Sequence, residues 1–136
     1  MQTERLVELS TPVVPIMPGI LLMPLIGTMD RQRADQMLET ALRSAVQARA
    51  QVVIVDITAA TGGDDAIVQV LAKTAKALRL LGAEAIVTGI GAKMAQAMVA
   101  HGTALDQLNT SATLAGGMMT ALDRIGDRGR RPPRSG

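Results

Sequence analysis

The sequence has 136 residues, a formal net charge of +2, no cysteine, a single histidine and no phenylalanine, tyrosine or tryptophan. This length fits one domain, and the residue counts exclude disulfides, thiolate nucleophiles and metal sites built from cysteines or histidine clusters. The lack of aromatic side chains excludes the stacking platforms on which single-stranded nucleic acids commonly bind.

The longest apolar run, residues 20–26, is interrupted by Pro24 and is too short to span a bilayer. The N-terminus lacks the basic region and apolar segment of a signal peptide, so we expect a cytoplasmic protein. The positive charge is concentrated in residues 126–136, whose four arginines and one aspartate give +3 against +2 for the whole chain. This distribution predicts a disordered basic tail, not a groove for nucleic acid.

The first elements in chain order are separated by prolines. Residues 3–10 have helical character and stop before Pro12, which pushes the preceding residue out of the helical region. Two apolar runs, 13–17 and 20–26, flank Pro18-Gly19, which is typical of a turn between strands. Pro15 removes a hydrogen-bond donor from the first run, so we expect that strand at a sheet edge.

A helix is predicted from Asp30 to about residue 48, because apolar residues recur there at spacings of three and four. The β-branched run 51–57 is typical of a strand covered on both faces. After a loop at 58–63, Asp64 or Asp65 is expected to cap a second helix, which Gly82 closes.

The rest of the chain continues the alternation of strand and helix. We predict a strand at 84–88, a short helix at 93–100, an extended stretch near 105–108, and a last helix from about 111 to 125, weakened by Gly116 and Gly117. This order predicts an α/β domain with helices packed on a mostly parallel sheet.

Three carboxylates, Asp56, Asp64 and Asp65, lie around the junction between the buried strand and the second helix. Ligands bind at such junctions in open α/β sheets, and three carboxylates could hold Mg²⁺. From the residues alone we favour a structural role, in which Asp64 and Asp65 cap the helix and Asp56 holds loop amides. His101, beside Gly102, is expected to cap the third helix at its C-terminus.

Taken together, the segments TPVVPIMPGILLMPLIGTMD, VVIVDIT, LLGAEAIVTGI and MAQAMVAHG resemble the STAS domain of RsbR-type stressosome scaffold proteins, a family that also includes anti-sigma-factor antagonists. The resemblance covers residues 5 to about 124. It implies a STAS fold with a mostly parallel sheet of four to five strands, about four helices and a short N-terminal edge strand. The implied organisation is a remnant of a linker helix at 1–10, the domain at 11–125 and the tail at 126–136.

The resemblance also implies a non-enzymatic signalling adaptor without a cofactor. Its partners would be other STAS proteins, in a homo- or hetero-oligomer, and a serine/threonine switch kinase, with no nucleic acid or membrane. Family members are phosphorylated at the start of the second helix, where this chain has Asp65, and in the third helix, where it has Ala97. The residues expected to contact partners surround the first of these positions: Asp56, Thr58, Thr61, Gly62, Gly63, Asp64, Asp65 and Val68.

The sequence leaves two questions open. Asp65 either mimics part of a phosphate charge, with one negative charge in place of nearly two, or only caps the helix. The loop at 58–63, which we expect to be flexible because of Gly62 and Gly63, either contacts protein partners or belongs to a STAS domain that binds a small ligand or nucleotide. An enzyme has the weakest support, because no nucleophile–base pair or metal cluster can be assembled.

Overall fold

A computed structural model describes residues 12–102 and 108–130 of the chain, with side chains up to residue 126. The predicted linker helix at 1–10, the end of the predicted tail and most of the stretch near 105–108 lie outside these residues. The described part contains seven strands: β1 Val14–Met17, β2 Ile20–Pro24, β3 Gly27–Thr28, β4 Val52–Asp56, β5 Ala60–Thr61, β6 Glu84–Thr88 and β7 Asn109–Ser111.

Five of these strands form the main sheet, in the order β1-β2-β4-β6-β7. Strand β1 runs antiparallel to β2, with an irregularity between Pro15 and Met17, and the other three pairings are parallel. The prediction of a mostly parallel sheet with an N-terminal edge strand is therefore confirmed. Strands β3 and β5 form a separate parallel pair, which the sequence did not indicate.

Four helices are described: α1 Arg31–Ala48, α2 Asp64–Leu80, α3 Ala92–His101 and α4 Leu114–Arg130. As predicted, α1 begins at Asp30. This residue is its N-cap, and its side chain accepts a hydrogen bond of 2.8 Å from the backbone N–H of Arg33. Gly82, which has a positive φ, follows the end of α2. The backbone N–H of Ala83 donates a hydrogen bond to the carbonyl oxygen of Leu78. In the described residues no helix is long and apolar enough to cross a membrane.

Several boundaries differ from the predictions: β7 lies at Asn109–Ser111, after the stretch predicted near 105–108, and α4 begins at Leu114 where a start at about 111 was predicted. Gly63 is the N-cap of α2 and no side chain caps this helix, so the prediction that Asp64 or Asp65 caps it is wrong. Helix α4 extends to Arg130, so the first residues of the predicted tail at 126–136 are helical.

The core lies on both faces of the sheet, because successive strand residues point to opposite sides. Side chains such as Val53 and Val55 pack with α1, α2 and α3 in the larger cluster. Val52 and Ile54 belong to the smaller cluster on the other face, with Ala121 of α4. The uninterrupted apolar run of β4 is explained by this double coverage.

Helix α4 approaches the sheet closely at Gly117. A Cβ atom on this glycine would lie 2.2 Å from Cγ2 of Thr88, a fully buried residue at the end of β6. The pair Gly116-Gly117, which the sequence suggested only as a weak point of the helix, therefore lets the helix backbone lie against the sheet.

Candidate functional site

The candidate site is built around Asp56, the last residue of β4, which pairs with Thr88 at the end of β6. One carboxylate oxygen of Asp56, Oδ1, accepts hydrogen bonds from the hydroxyls of Thr88, at 2.6 Å, and Thr58, at 3.0 Å. The prediction that Asp56 holds loop amides is thus corrected, since hydroxyl groups occupy this oxygen. Asp56 joins the strand ends to the loop that follows β4.

Gly89 allows the loop after β6 to lie against the loop after β4. Its φ of +77° lies in the left-handed region, and a Cβ atom there would lie 2.0 Å from Oγ1 and 2.7 Å from the backbone N of Thr58. The backbone N–H of Ile57 donates to the carbonyl of Thr88 at 2.9 Å, which brings the two loops together. Only a residue without a side chain fits between them.

The loop at 58–63 is tied to the segment before α1. The backbone N–H of Gly27 donates to the carbonyl oxygen of Ala59 at 2.9 Å, and the backbone N–H of Met29 donates to the carbonyl oxygen of Thr61 at 3.2 Å. Gly63 has a φ of +60°, and a Cβ atom on it would lie 2.5 Å from the carbonyl oxygen of Met29. This close approach explains why the N-cap position of α2, just before Asp64, is a glycine.

Asp64 and Asp65 form the first turn of α2, where the helix dipole stabilises negative charge although neither side chain caps the helix. The Asp65 side chain is 83% exposed, and its Oδ1 lies 3.4 Å from Nε2 of His101. His101 is the last residue of α3. The side chain that was expected to cap α3 therefore contacts the acidic residue on the neighbouring helix.

The remaining predicted contact residues differ in exposure. Thr58, Thr61 and Gly62 are exposed like Asp65, whereas Asp56 and Asp64 are half-buried. Val68 is 0% exposed and belongs to the larger core cluster, so its prediction as a contact residue is wrong. The spacing of apolar residues in α2 indicates the burial of Val68, because Val68 lies on the same helix face as the core residues Leu71 and Ala75.

A cleft of about 410 Å³ opens between the loop at 58–62 and residues 89–94. Its charged lining residues are Asp64 and Lys93, and no motif in the sequence marks Lys93 as a site residue. Within the described part of the chain, no group of three or more histidine or acidic side chains is placed to hold a metal ion. The conceivable magnesium site of Asp56, Asp64 and Asp65 therefore has no support from this geometry.

Helices on both faces of a mostly parallel sheet, with an antiparallel N-terminal edge strand and a loop–helix junction beyond β4, define an α/β domain of the STAS fold. Residues 11–116 match the STAS domain family, and the chain belongs to this family.

The relatives agree with this membership. The chain is 38% identical over 123 residues to the RsbT co-antagonist protein RsbRA of Bacillus subtilis. The aligned residues make up 90% of this chain and 45% of that relative. It therefore spans less than half the length of the curated relatives that it matches. The predicted resemblance to RsbR-type proteins is confirmed.

Solved structures agree on the fold. A Moorella thermoacetica RsbS variant, with a serine replaced by glutamate, superposes with a TM-score of 0.73 at 22% identity, covering 85% of this chain and 97% of that one. A chain from a structure of the stressosome, described as a signal integration and transduction hub, gives a TM-score of 0.63 at 20% identity over 88% of this chain and 100% of its own.

Proposed function

We propose that this chain is a non-enzymatic signalling adaptor of a stressosome-like or anti-sigma-factor-antagonist partner switch. It acts in the cytoplasm, without a cofactor, through protein–protein contacts at the loop 58–63 and the start of α2. Its similarity to a co-antagonist supports this role. So does the exposure of polar residues on the loop, where contacts with another protein are sterically open.

The observation that carries the proposal is the exposed carboxylate of Asp65, at the position where the resemblance to RsbR-type proteins implies a phosphorylated serine or threonine. The side chain is 83% exposed and makes no capping hydrogen bond, so the helix does not use it as a cap. A carboxylate there supplies one negative charge, whereas a phosphothreonine carries nearly two and three terminal oxygens. The chain would then present part of the phosphorylated surface without the kinase.

We expect wild type to take up no phosphate at residue 65 from the switch kinase of the same organism, whereas Asp65→Thr becomes a substrate because a hydroxyl then stands at the acceptor position. Asp65→Ala should bind the partner at least about fivefold more weakly, as expected for loss of an interface charge. Phosphate incorporation and titration calorimetry measure the two effects.

The matched control is Asp123→Ala, which removes an exposed carboxylate from α4, on the other face of the sheet. This variant should bind like wild type. If Asp65→Ala also binds every partner like wild type, the carboxylate serves only the helix dipole and the phosphate-mimic role is rejected.

Self-association or association with a second STAS protein is part of the proposal. Among the described residues, strand β1 is an edge strand that pairs on one side only. It carries the exposed Val14 and the half-buried Ile16, and Val13 just before it is also half-buried. Ile20, which the sequence suggested as part of the same edge, is 2% exposed and lies in β2, so it is not available. The accessible edge therefore consists of residues 13–16.

Light scattering should give the mass of a dimer or larger assembly, either alone or with a second STAS protein. Val14→Lys should shift this mass toward the monomer, because a charge on an edge strand opposes strand pairing. Lys76→Ala, on the exposed side of α2, serves as the control. A monomeric mass for wild type under both conditions would contradict the proposal.

The cleft of about 410 Å³ favours the alternative function, binding of a small ligand or nucleotide. Lys93 and the first backbone amides of α3 could receive an anionic group. Asp64 lines the same cleft, and its carboxylate opposes a polyanion such as a nucleoside triphosphate. The adaptor function is therefore the better supported of the two.

A further inference from the structure

The contact between Asp65 and His101 joins two helices at the surface that we propose for partners. Oδ1 of Asp65 lies 3.4 Å from Nε2 of His101, although the two residues are 36 positions apart in sequence. Among the contacts between acidic and basic side chains formed by residues 12–102 and 108–126, this is the one that includes Asp65. The carboxylate at the start of α2 thus contacts a residue at the end of α3.

The chemistry of the two groups fixes the direction of the hydrogen bond. An ionised carboxylate can only accept, so Nε2 of His101 must carry the proton, in the neutral tautomer or in the imidazolium. The ring is 27% exposed, which places most of it against the protein and limits its rotation. The ring lies in the last turn of α3, beside the start of α2.

His101 also adjoins the second acceptor-equivalent position. Ala97 precedes it by four residues on α3, and residues at this spacing are neighbours on one helix face. Both are half-buried. One histidine therefore contacts the first position and lies within one helical turn of the second.

We propose that His101 is a positioning residue for the acidic group at residue 65. Its ring N–H holds the carboxylate toward the end of α3, so that a partner meets the start of α2 and the end of α3 as one surface. This inference rests on the proposed function, and it adds a residue that determines how the charge is presented.

A double-mutant cycle in urea with Asp65→Asn and His101→Leu tests the contact without any partner. The unfolding equilibrium constants should show a coupling of about 1.5- to 5-fold, as exposed ion pairs do, and the coupling should shrink in about 1 M salt. The same cycle with Asp64→Asn should show none. His101→Gln keeps an N–H donor on a side chain of similar reach, so it should retain part of the coupling that His101→Leu removes. If the ring served packing only, His101→Gln would show no coupling with Asp65.

Because the chain has a single histidine, the proton resonances of its ring offer a second measurement. This measurement needs only a folded sample, so a less stable variant can still be used. The ring proton resonances of His101 should move on Asp65→Asn and stay unchanged on Asp64→Asn. In partner titrations, His101→Leu should weaken binding when Asp65 is present and have no further effect in Asp65→Ala.

Lack of coupling in the urea cycle, or partner binding that depends on Asp65 but not on His101, would overturn the inference. If Asp65→Ala leaves partner binding unchanged, the proposed function fails, and with it the role of His101 toward a partner. The urea cycle then still decides whether the contact forms, so the two failures are distinguished.

Discussion

Replacing Gly117 with alanine is expected to destabilise the domain by about 2 kcal/mol, although alanine is the better helix former by up to about 1 kcal/mol. The added Cβ atom would lie 2.2 Å from Cγ2 of Thr88 and 3.5 Å from Cγ2 of Ile86, both in a buried strand. Neither β-branched side chain can move away cheaply in a packed core. Helix α4 must therefore shift outward and lose contact with the sheet. The midpoint and slope of urea unfolding measure the loss.

Gly126→Ala is the matched control in the same helix, because nothing lies within 4 Å of the Cβ atom it would add. With no steric term, helix propensity alone should stabilise the domain by up to about 1 kcal/mol. The two substitutions are chemically identical and should differ in sign. If Gly117→Ala also stabilises, the close packing of α4 on β6 is refuted.

Gly89→Ala should have the largest effect at the site, a loss of about 3 kcal/mol. The left-handed conformation costs a residue with a side chain about 1–2 kcal/mol, and here φ is +77°. In addition, the new Cβ atom would lie 2.7 Å from the backbone N of Thr58, which cannot rotate away as a side chain could. The hydroxyl of Thr58 would lose its place beside Asp56. Thermal and urea unfolding should both record the change.

Gly82→Ala separates the two costs, because its φ of +83° is similar but nothing lies within 4 Å of the added atom. We expect this control to lose only the conformational part, about 1–2 kcal/mol. Equal losses in the two variants would show that the approach of Thr58 to Gly89 contributes nothing.

Local signals in the sequence identified several elements correctly. Helix α1 begins at Asp30 as predicted, because the start of a helix can be marked locally by a side chain that accepts from an amide three residues later. The run at 51–57 indicated a buried strand, because residues 52–55 are all β-branched and apolar, as expected for a strand covered on both faces. The turn between β1 and β2 followed from Pro18-Gly19, and the edge position of β1 followed from the loss of an N–H at Pro15.

The features that the sequence could not indicate depend on contacts between distant residues. The N-cap of α2 is Gly63 and not the predicted Asp64 or Asp65, because the backbone at this position lies against Met29. The two-residue strands β3 and β5 are too short to leave a pattern. His101 could be placed at the end of a helix from its neighbours, but the approach of Asp65 depends on how α2 and α3 pack together.

The order of the sheet also determines how the domain is completed during synthesis. From β2 onward, each new strand of the main sheet adds beside the one made before it, so the sheet can grow as the chain leaves the ribosome. Helix α4, which packs on the cluster of Ile20, Val52, Ile54 and Ile86, follows these strands in the chain and is therefore made after them. Until it emerges, the nascent chain carries an open aliphatic surface, which is the kind of surface that chaperones bind and that promotes aggregation.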